Sequence, residues 1–307
     1  VKPEDMANDP EWFLELTRGG QAPMKFDQAL ILGTGRLPLD CALALIEKNM
    51  PVAIYDCDPT PSGILKRQAK SKEIAYYHLP KKELFDTLSK VETPSLVVSA
   101  INPYILPKSV LENGMLTAIN CHQALLPRHP GRNAEMWAIY EGDASTGITW
   151  HLLTADVDAG DILIQKSFPI EESMNSYQVF RRQIQLAGEA FKEILEDLLN
   201  GVLSPTKQEL SGERTLHYSY EMPNGAILDP DWPQEKISAF LRACDYGILN
   251  VVDRPKLLLN GASFVWKTYK LTKEHPLPDG IHFTGDSILI QKPGLLVTLK
   301  NYHKEEQ

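Results

Sequence analysis

Short apolar runs alternating with helix-forming segments constrain the fold of this chain more than any other feature. The run ALILGTG (29–35) ends in glycines and is followed by the helical-looking LPLDCALALIEKN and a second apolar run, PVAIYDCD (51–58). Strand, glycine turn, helix and strand make a βαβ unit, whose parallel strands need a crossover and whose sheet is covered on both faces. The pattern continues with a helix over KKELFDTLSKV, a buried strand at PSLVVSAI (94–101), a short helix ended by Gly114, and a strand at LTAINCH (116–122). A helix from about 133 to 140, strands at TGITWHLLT (146–154) and ILIQKSFPI, and a long amphipathic helix over 176–200 follow. Val179, Ile184, Leu186, Phe191, Leu195 and Leu198 supply the apolar face of that last helix.

Composition changes at GVLSPTKQELSGERTLHYSYEMPNGAILDPDWP, which is rich in Gly, Pro and Ser and has no clear period, as a linker should. Beyond it one helix, QEKISAFLRACDYG, precedes short strands joined by tight turns. The expected organisation is an extension or linker at 1–24, an α/β domain at 25–204, a linker at 205–230, and a small, mostly β domain at 231–307.

The 31 Lys and Arg against 40 Asp and Glu give a formal charge of -9, which disfavours a nucleic-acid partner because phosphate binding relies on clustered cations. Cys41, Cys57, Cys121 and Cys244 are scattered without metal-ligand spacing, so no metal is expected and a reduced, cytoplasmic protein is the default. No run approaches the roughly 20 apolar residues of a membrane span. The start, VKPEDMANDPEWF, lacks a signal-peptide pattern. The turn Gly33-Thr34-Gly35 falls short of a dinucleotide fingerprint, because Pro38 stands where the third glycine should be. Asp56 and Asp58, at a strand end, read as loop-capping acids, and no nicotinamide cofactor is expected.

The stretch INCHQALLPRHPGRN (119–133) is different. It places polar groups at the C-terminal end of a strand, where open α/β sheets bind ligands. Residues two apart on a strand share a side, so Asn120 and His122 project together while Cys121 points the other way, into the core. A second polar cluster, ADVDAGD (155–161), puts Asp156, Asp158 and Asp161 in a turn after a strand. Carboxylate, imidazole and amide brought together would suit acyl transfer through an oxyanion. Taken singly, the same residues also fit a turn amide, a hydrogen-bonded buried ring and turn-forming aspartates.

The segment from VVSAINPYILP to DILIQKSFPI resembles the catalytic core of the formyltransferases that use N10-formyltetrahydrofolate. Four linked motifs carry the resemblance: Asn120-Cys121-His122, Leu125 to Gly131, Gly147-Ile148-Thr149-Trp150-His151, and Val157-Asp158-Ala159-Gly160-Asp161-Ile162. It implies a Rossmann-like, mostly parallel sheet in an N-terminal catalytic domain, followed by the small, mostly β domain. It further implies Asn120, His122 and Asp158 as catalytic residues, with Tyr104, Ile105, Leu106, Leu153, Thr154, Ala155, Asp156 and Gly160 lining the folate pocket. Arg128, Gly131, Arg132 and Asn133 would face the acceptor.

The implied reaction moves formyl from N10-formyltetrahydrofolate to a primary amine through a tetrahedral intermediate. Asn120 and a protonated His122 would stabilise its oxyanion, and Asp158 would charge His122 and collect the amine proton. HPGRN with Trp137 nearby resembles the branches that act on nucleotide-linked amino sugars, or on amino acids and peptides, some of them carrier-bound. A formyltetrahydrofolate hydrolase is one alternative, although that branch carries a regulatory domain that 24 residues cannot supply. A folate- or carrier-binding module without turnover is another. A homodimer and membership of a larger biosynthetic assembly both remain open.

Overall fold

The protein was analysed as a computed structural model that describes residues 26–210, 214–273 and 277–305. The segment expected to be an extension or linker, 1–24, lies outside the described residues. By internal contacts the chain divides into two compact units. Among the described residues the first comprises 26–131, 147–168, 182–210 and 214–216, and the second 132–146, 169–181, 217–273 and 277–305.

The first unit is built on the expected sheet. Its strands are β1 (Gln28–Gly33), β2 (Val52–Asp56), β3 (Ala75–Tyr77), β4 (Ser95–Ala100), β5 (Leu116–His122), β6 (Ser145–Leu152) and β7 (Ile162–Pro169), in the order β3-β2-β1-β4-β5-β6-β7. Pairings among β1 to β5 are parallel, while β5 and β6 run antiparallel. The order reverses between β1 and β4, which makes the C-terminal ends of these strands the natural ligand crevice. Helices α1 (Leu37–Ile46), α2 (Ile64–Ser71), α3 (Lys81–Ser89) and α4 (Lys108–Leu111) provide the crossovers.

The Gly33 turn is structural: a Cβ there would sit 1.7 Å from the Ala100 carbonyl oxygen and about as close as contact allows to Pro38, at 3.0 Å. Asp56 accepts from Tyr76 Oη (2.7 Å) and from the Asp58 amide (3.0 Å), a local capping role.

Central strands β1 and β4 are buried along nearly their whole length, as strands covered on both faces must be. One face packs Ile31, Ile54, Val98, Ile119, Cys121 and Trp150 against Phe191, Ile194, Leu195 and Leu198 of α6 (Ser176–Asn200). Trp150 is fully buried; its indole N–H donates to the Ala187 carbonyl (3.0 Å) and its ring lies 5.1 Å from that of Phe191. The opposite face packs Leu30, Leu32 and Val97 with Leu84 and Leu88 of α3.

The second unit contains α5 (Ala134–Glu141), α7 (Gln234–Ala243) and two four-stranded sheets. Strands β8 (Ile227–Leu228), β9 (Lys256–Leu259), β10 (Ala262–Val265) and β15 (His303–Lys304) form one sheet, ordered β15-β10-β9-β8. Strands β11 (Thr268–Thr272), β12 (Gly280–Thr284), β13 (Ser287–Lys292) and β14 (Leu295–Lys300) form the other, ordered β11-β14-β13-β12. Its core gathers Ile237, Phe240, Leu257, Ile288, Ile290, Val297 and Leu299, with Tyr140 of α5 packed against it. Buried Glu135 accepts a 2.6 Å hydrogen bond from Tyr246 Oη, and burial pushes the Glu135 carboxyl above its ordinary range despite that bond. No helix among the described residues is long and apolar enough to cross a membrane.

Phe191 fills the space beside Trp150 on the α6 face of the sheet. Phe191→Ala should destabilise the protein by about 3–5 kcal/mol in chemical denaturation; a loss below about 1 kcal/mol would contradict this packing.

Candidate active site

The alternation along β5 separates chemistry from core, as its sequence implies. Cys121 is buried in the cluster that faces α6, and burial pushes its thiol up, so it is an inert packing residue. Asn120 lies on the other side, where register places it between Ser99 on β4 and His151 on β6. The three side chains form one cross-strand row. Ser99 Oγ donates to Asn120 Oδ1 (2.7 Å), which turns Asn120 Nδ2 toward His151 Nε2 at 3.1 Å. His151 Nδ1 is 2.8 Å from the Leu152 carbonyl oxygen, so Nδ1 carries the proton and Nε2 accepts from Asn120. One N–H of Asn120 is thereby used, and its second has no partner among the described residues.

His122 is also buried. Its Nε2 is 2.7 Å from the His129 carbonyl oxygen, which can only accept, so this nitrogen carries a proton. Nδ1 faces Asp158 Oδ2 at 3.4 Å. The other carboxylate oxygen, Oδ1, lies 3.5 Å from His151 Nε2, and the Gly131 amide donates to Oδ2 at 2.8 Å. Burial opposes ionisation of Asp158, but His122, His151 and the Gly131 N–H outweigh it and hold the carboxyl well below the usual carboxylate range. His122 moves below its ordinary value chiefly because it is buried, with Asp158 pulling the other way. The resting site therefore holds an ionised Asp158 beside a neutral His122 whose Nδ1 lone pair faces it. A proton arriving on that nitrogen would be stabilised at once.

Several backbone choices support this arrangement. Asp158 (φ 48°), His129 (φ 51°) and Ile101 (φ 57°) adopt left-handed backbone, which for a β-branched residue such as Ile101 is a real strain. Gly160 allows its turn to close on β6, since a Cβ there would lie 1.8 Å from the Leu152 carbonyl oxygen. The 123–131 loop is pinned from below: Thr149 Oγ1 donates to the Ala124 carbonyl (2.7 Å), and Gln165 Nε2 to the Leu126 carbonyl (2.9 Å).

The three residues expected to be catalytic are therefore together in the first unit. Of those expected to line a folate pocket, Leu106 is buried in the β4 side of the core and Leu153 is packed against it. Tyr104 is half-buried with its ring edge-on to Phe85, Ile105 is exposed, and Thr154 Oγ1 donates to the Asp156 carbonyl (3.1 Å) in a turn that exposes Ala155 and Asp156. The amide of Gly131, a residue expected to face an acceptor, donates to Asp158. Arg128 is half-buried, while Arg132 and Asn133 fall in the second unit, where the Arg132 amide donates to the His217 carbonyl and Asn133 is the left-handed N-cap of α5.

Sequence reasoning quoted His151 within a motif but gave it no part to play, and it did not single out Ser99. Their signal was the strand register, which pairs Ser99, Asn120 and His151 across β4, β5 and β6.

A formyl transferase family profile matches residues 60–195, which hold β4, β5, β6 and all of Asn120, His122, His151 and Asp158. Among curated proteins, the chain is 31% identical over 150 residues to the GDP-perosamine N-formyltransferase of Brucella melitensis biotype 1, covering 49% of this chain and 56% of that protein. It is 35% identical over 116 residues to the methionyl-tRNA formyltransferase of Citrifermentans bemidjiense, covering 38% of this chain and 36% of that protein. The match thus spans about half, or less, of the length of these relatives.

Among solved structures, an N-formyltransferase from Helicobacter canadensis in complex with folinic acid and dTDP-3-aminofucose superposes with a TM-score of 0.71 at 15% identity, over 89% of this chain and 98% of that one. HypX from Aquifex aeolicus in complex with tetrahydrofolic acid gives 0.62 at 17% identity, over 89% of this chain and 43% of that one. At these identities the likeness is one of fold.

The lowered His122 value has a defined effect on stability. As pH falls below about 6.5 the unfolded chain takes up this proton first, so stability is lost until the folded ring is itself protonated. Melting temperature measured from pH 7 to pH 5 should therefore fall less steeply for His122→Gln than for wild type. Parallel slopes would contradict the burial argument.

Proposed function

We propose that this protein transfers a formyl group from N10-formyltetrahydrofolate to the primary amine of a small acceptor, a nucleotide-linked amino sugar. The observation that carries the reading is the convergence of Asn120, His122 and Asp158, with Asp158 Oδ2 3.4 Å from His122 Nδ1 and Asn120 tied into the same network through His151. The sugar acceptor is supported by the resemblance to a GDP-perosamine N-formyltransferase over half of the chain. The net charge of -9 weighs against a polyanionic acceptor such as tRNA.

The residues at the strand ends fit a folate. Among the described residues the buried Nδ2 of Asn102 has no partner, while its Oδ1 is held by the Tyr104 amide (3.0 Å), which leaves a donor beside the expected pocket wall of Tyr104, Ile105 and Leu106. Leu153, Thr154, Ala155, Asp156 and Gly160 would form the other wall, in a turn whose close backbone only Gly160 permits. When bound, the folate supplies an activated one-carbon unit at the formyl level.

The chain's own groups then divide the work. The spare N–H of Asn120 donates to the formyl oxygen as that oxygen gains negative charge, and the Ser99 and His151 bonds keep the amide from flipping. The attacking amine must lose a proton, and His122 Nδ1, facing an ionised Asp158, receives it directly or through a water. Asp158 stabilises the imidazolium so formed, the Gly131 amide keeps the carboxylate ionised, and the imidazolium would return the proton to N10 of the leaving tetrahydrofolate as the bond between N10 and the formyl carbon breaks. Each group is already in place, which is what electrostatic stabilisation of a transient charge requires.

Incubation with N10-formyltetrahydrofolate and a panel of amines, comprising nucleotide-linked amino sugars, amino acids and peptides, tests the reading. It predicts an N-formylated amino sugar, with Asn120→Ala slower by about 100- to 1000-fold in kcat. Formate release that ignores the amine would make the protein a hydrolase instead. No product from any amine would overturn the proposal.

A further inference from the structure

The turn that carries Asp158 is gripped from outside by a stretch that the sequence assigns to the linker. Thr206 exchanges backbone hydrogen bonds with Ile162, the first residue of β7, at 2.7 and 2.8 Å. From there Gln208 reaches under the turn. Its Nε2 donates to the Asp158 carbonyl at 3.2 Å and to the Gly160 carbonyl. Arg214 donates to the Val157 carbonyl and, at 3.3 Å, to the Asp158 carbonyl. Two side chains thus fix three carbonyls in four residues, and so the peptide planes on either side of Asp158.

Resting on the formyl transfer reading above, we propose that Gln208, assisted by Arg214, is a positioning residue that holds the Asp158 turn so that its carboxylate faces His122. Three features of the geometry argue for orientation over simple packing. Asp158 has left-handed backbone, a conformation that aspartate tolerates better than most side chains but that still favours a turn held from outside. Gln208 is buried, and among the described residues its Oε1 has no hydrogen-bond partner, so the amide is retained for its two donors at the expense of its acceptor. A flipped amide would set that oxygen against two carbonyls. Finally, the carbonyls of 157, 158 and 160 accept from Gln208 and Arg214, while the Asp158 carboxylate accepts from the Gly131 amide and faces His122 and His151. Backbone and side chain are therefore held by separate sets of groups. Removing one set leaves the other intact but displaced.

The titratable groups around His122 are Asp158, His151 and His129. Of these only Asp158 sits on the gripped turn, so a slackened turn should show in the titration of His122. Gln208→Met keeps the volume and removes both donors; Arg214→Ala removes the second grip from a less enclosed position. The experiment follows the His122 ring by NMR against pH in the full chain, with melting temperature and formyl transfer measured on the same samples. The proposal predicts that Gln208→Met moves the His122 midpoint down by about one pH unit as its carboxylate partner recedes. Arg214→Ala should move it the same way by less. It also predicts a kcat loss of about tenfold with KM for both substrates changed by less than about twofold, the mark of a contact felt in the transition state.

An unmoved midpoint in both variants would overturn the proposal, including the case in which melting temperature falls and only a structural role remains. If Gln208→Met does not fold, Arg214→Ala decides by the same midpoint. The NMR arm needs no substrate. A wild type without transferase activity would therefore sink the formyl transfer reading while the midpoint still judged the grip on Asp158.

Discussion

An ionised carboxylate in a nearly closed environment is costly unless its surroundings compensate it. Around Asp158 stand groups from three separate stretches of chain: the Gly131 amide from the loop after β5, which donates to it, and the rings of His122 from the end of β5 and His151 from β6, each with a nitrogen beside it. Much of the local architecture serves this one group. The 123–131 loop must fold back so that Gly131 can reach it, which Thr149 and Gln165 secure from the sheet beneath. The turn must close on β6, which Gly160 permits. The strand order reverses between β1 and β4, and open α/β sheets bind ligands at the C-terminal strand ends of such a point.

The two histidines beside Asp158 differ in a way that their hydrogen bonds determine. His151 gives its Nδ1 proton to the Leu152 carbonyl and turns a lone pair to Asn120. His122 gives its Nε2 proton to the His129 carbonyl and turns a lone pair to Asp158. One ring is thereby a fixed acceptor that orients an amide, and the other is an acceptor placed against a negative charge. The same residue type performs two jobs because different backbone carbonyls select opposite tautomers.

How much of this could be read in the sequence depended on whether the information was local. Strand parity is local, and it correctly separated Asn120 and His122 from Cys121. The βαβ pattern and the limits of α6 at 176–200 follow from apolar runs and helical periodicity. Short elements lacked such a signal: α2 has only eight residues with Leu65 and Ala69 buried, and β3 is a three-residue edge strand. Register between strands is not local at all, so the Ser99, Asn120 and His151 row could not be anticipated. Gln208 and Arg214 lie in a stretch without periodicity, where composition reads as linker although two side chains grip a distant turn. The second unit shows the same limit. Residues 132–146, which lie within the segment that the formyl transferase profile matches, supply α5 and Tyr140 to a core otherwise drawn from beyond residue 216.

The opposite tautomers of the two rings are the point on which the account of the site rests, and they can be observed directly. A long-range proton–nitrogen correlation spectrum of the histidine-labelled protein at neutral pH, assigned with His122→Gln and His151→Gln, reports which nitrogen of each ring is protonated. The account predicts His122 protonated on Nε2 alone and His151 protonated on Nδ1 alone. His122 protonated on Nδ1 alone, or a neutral His151 with its proton on Nε2, would contradict it.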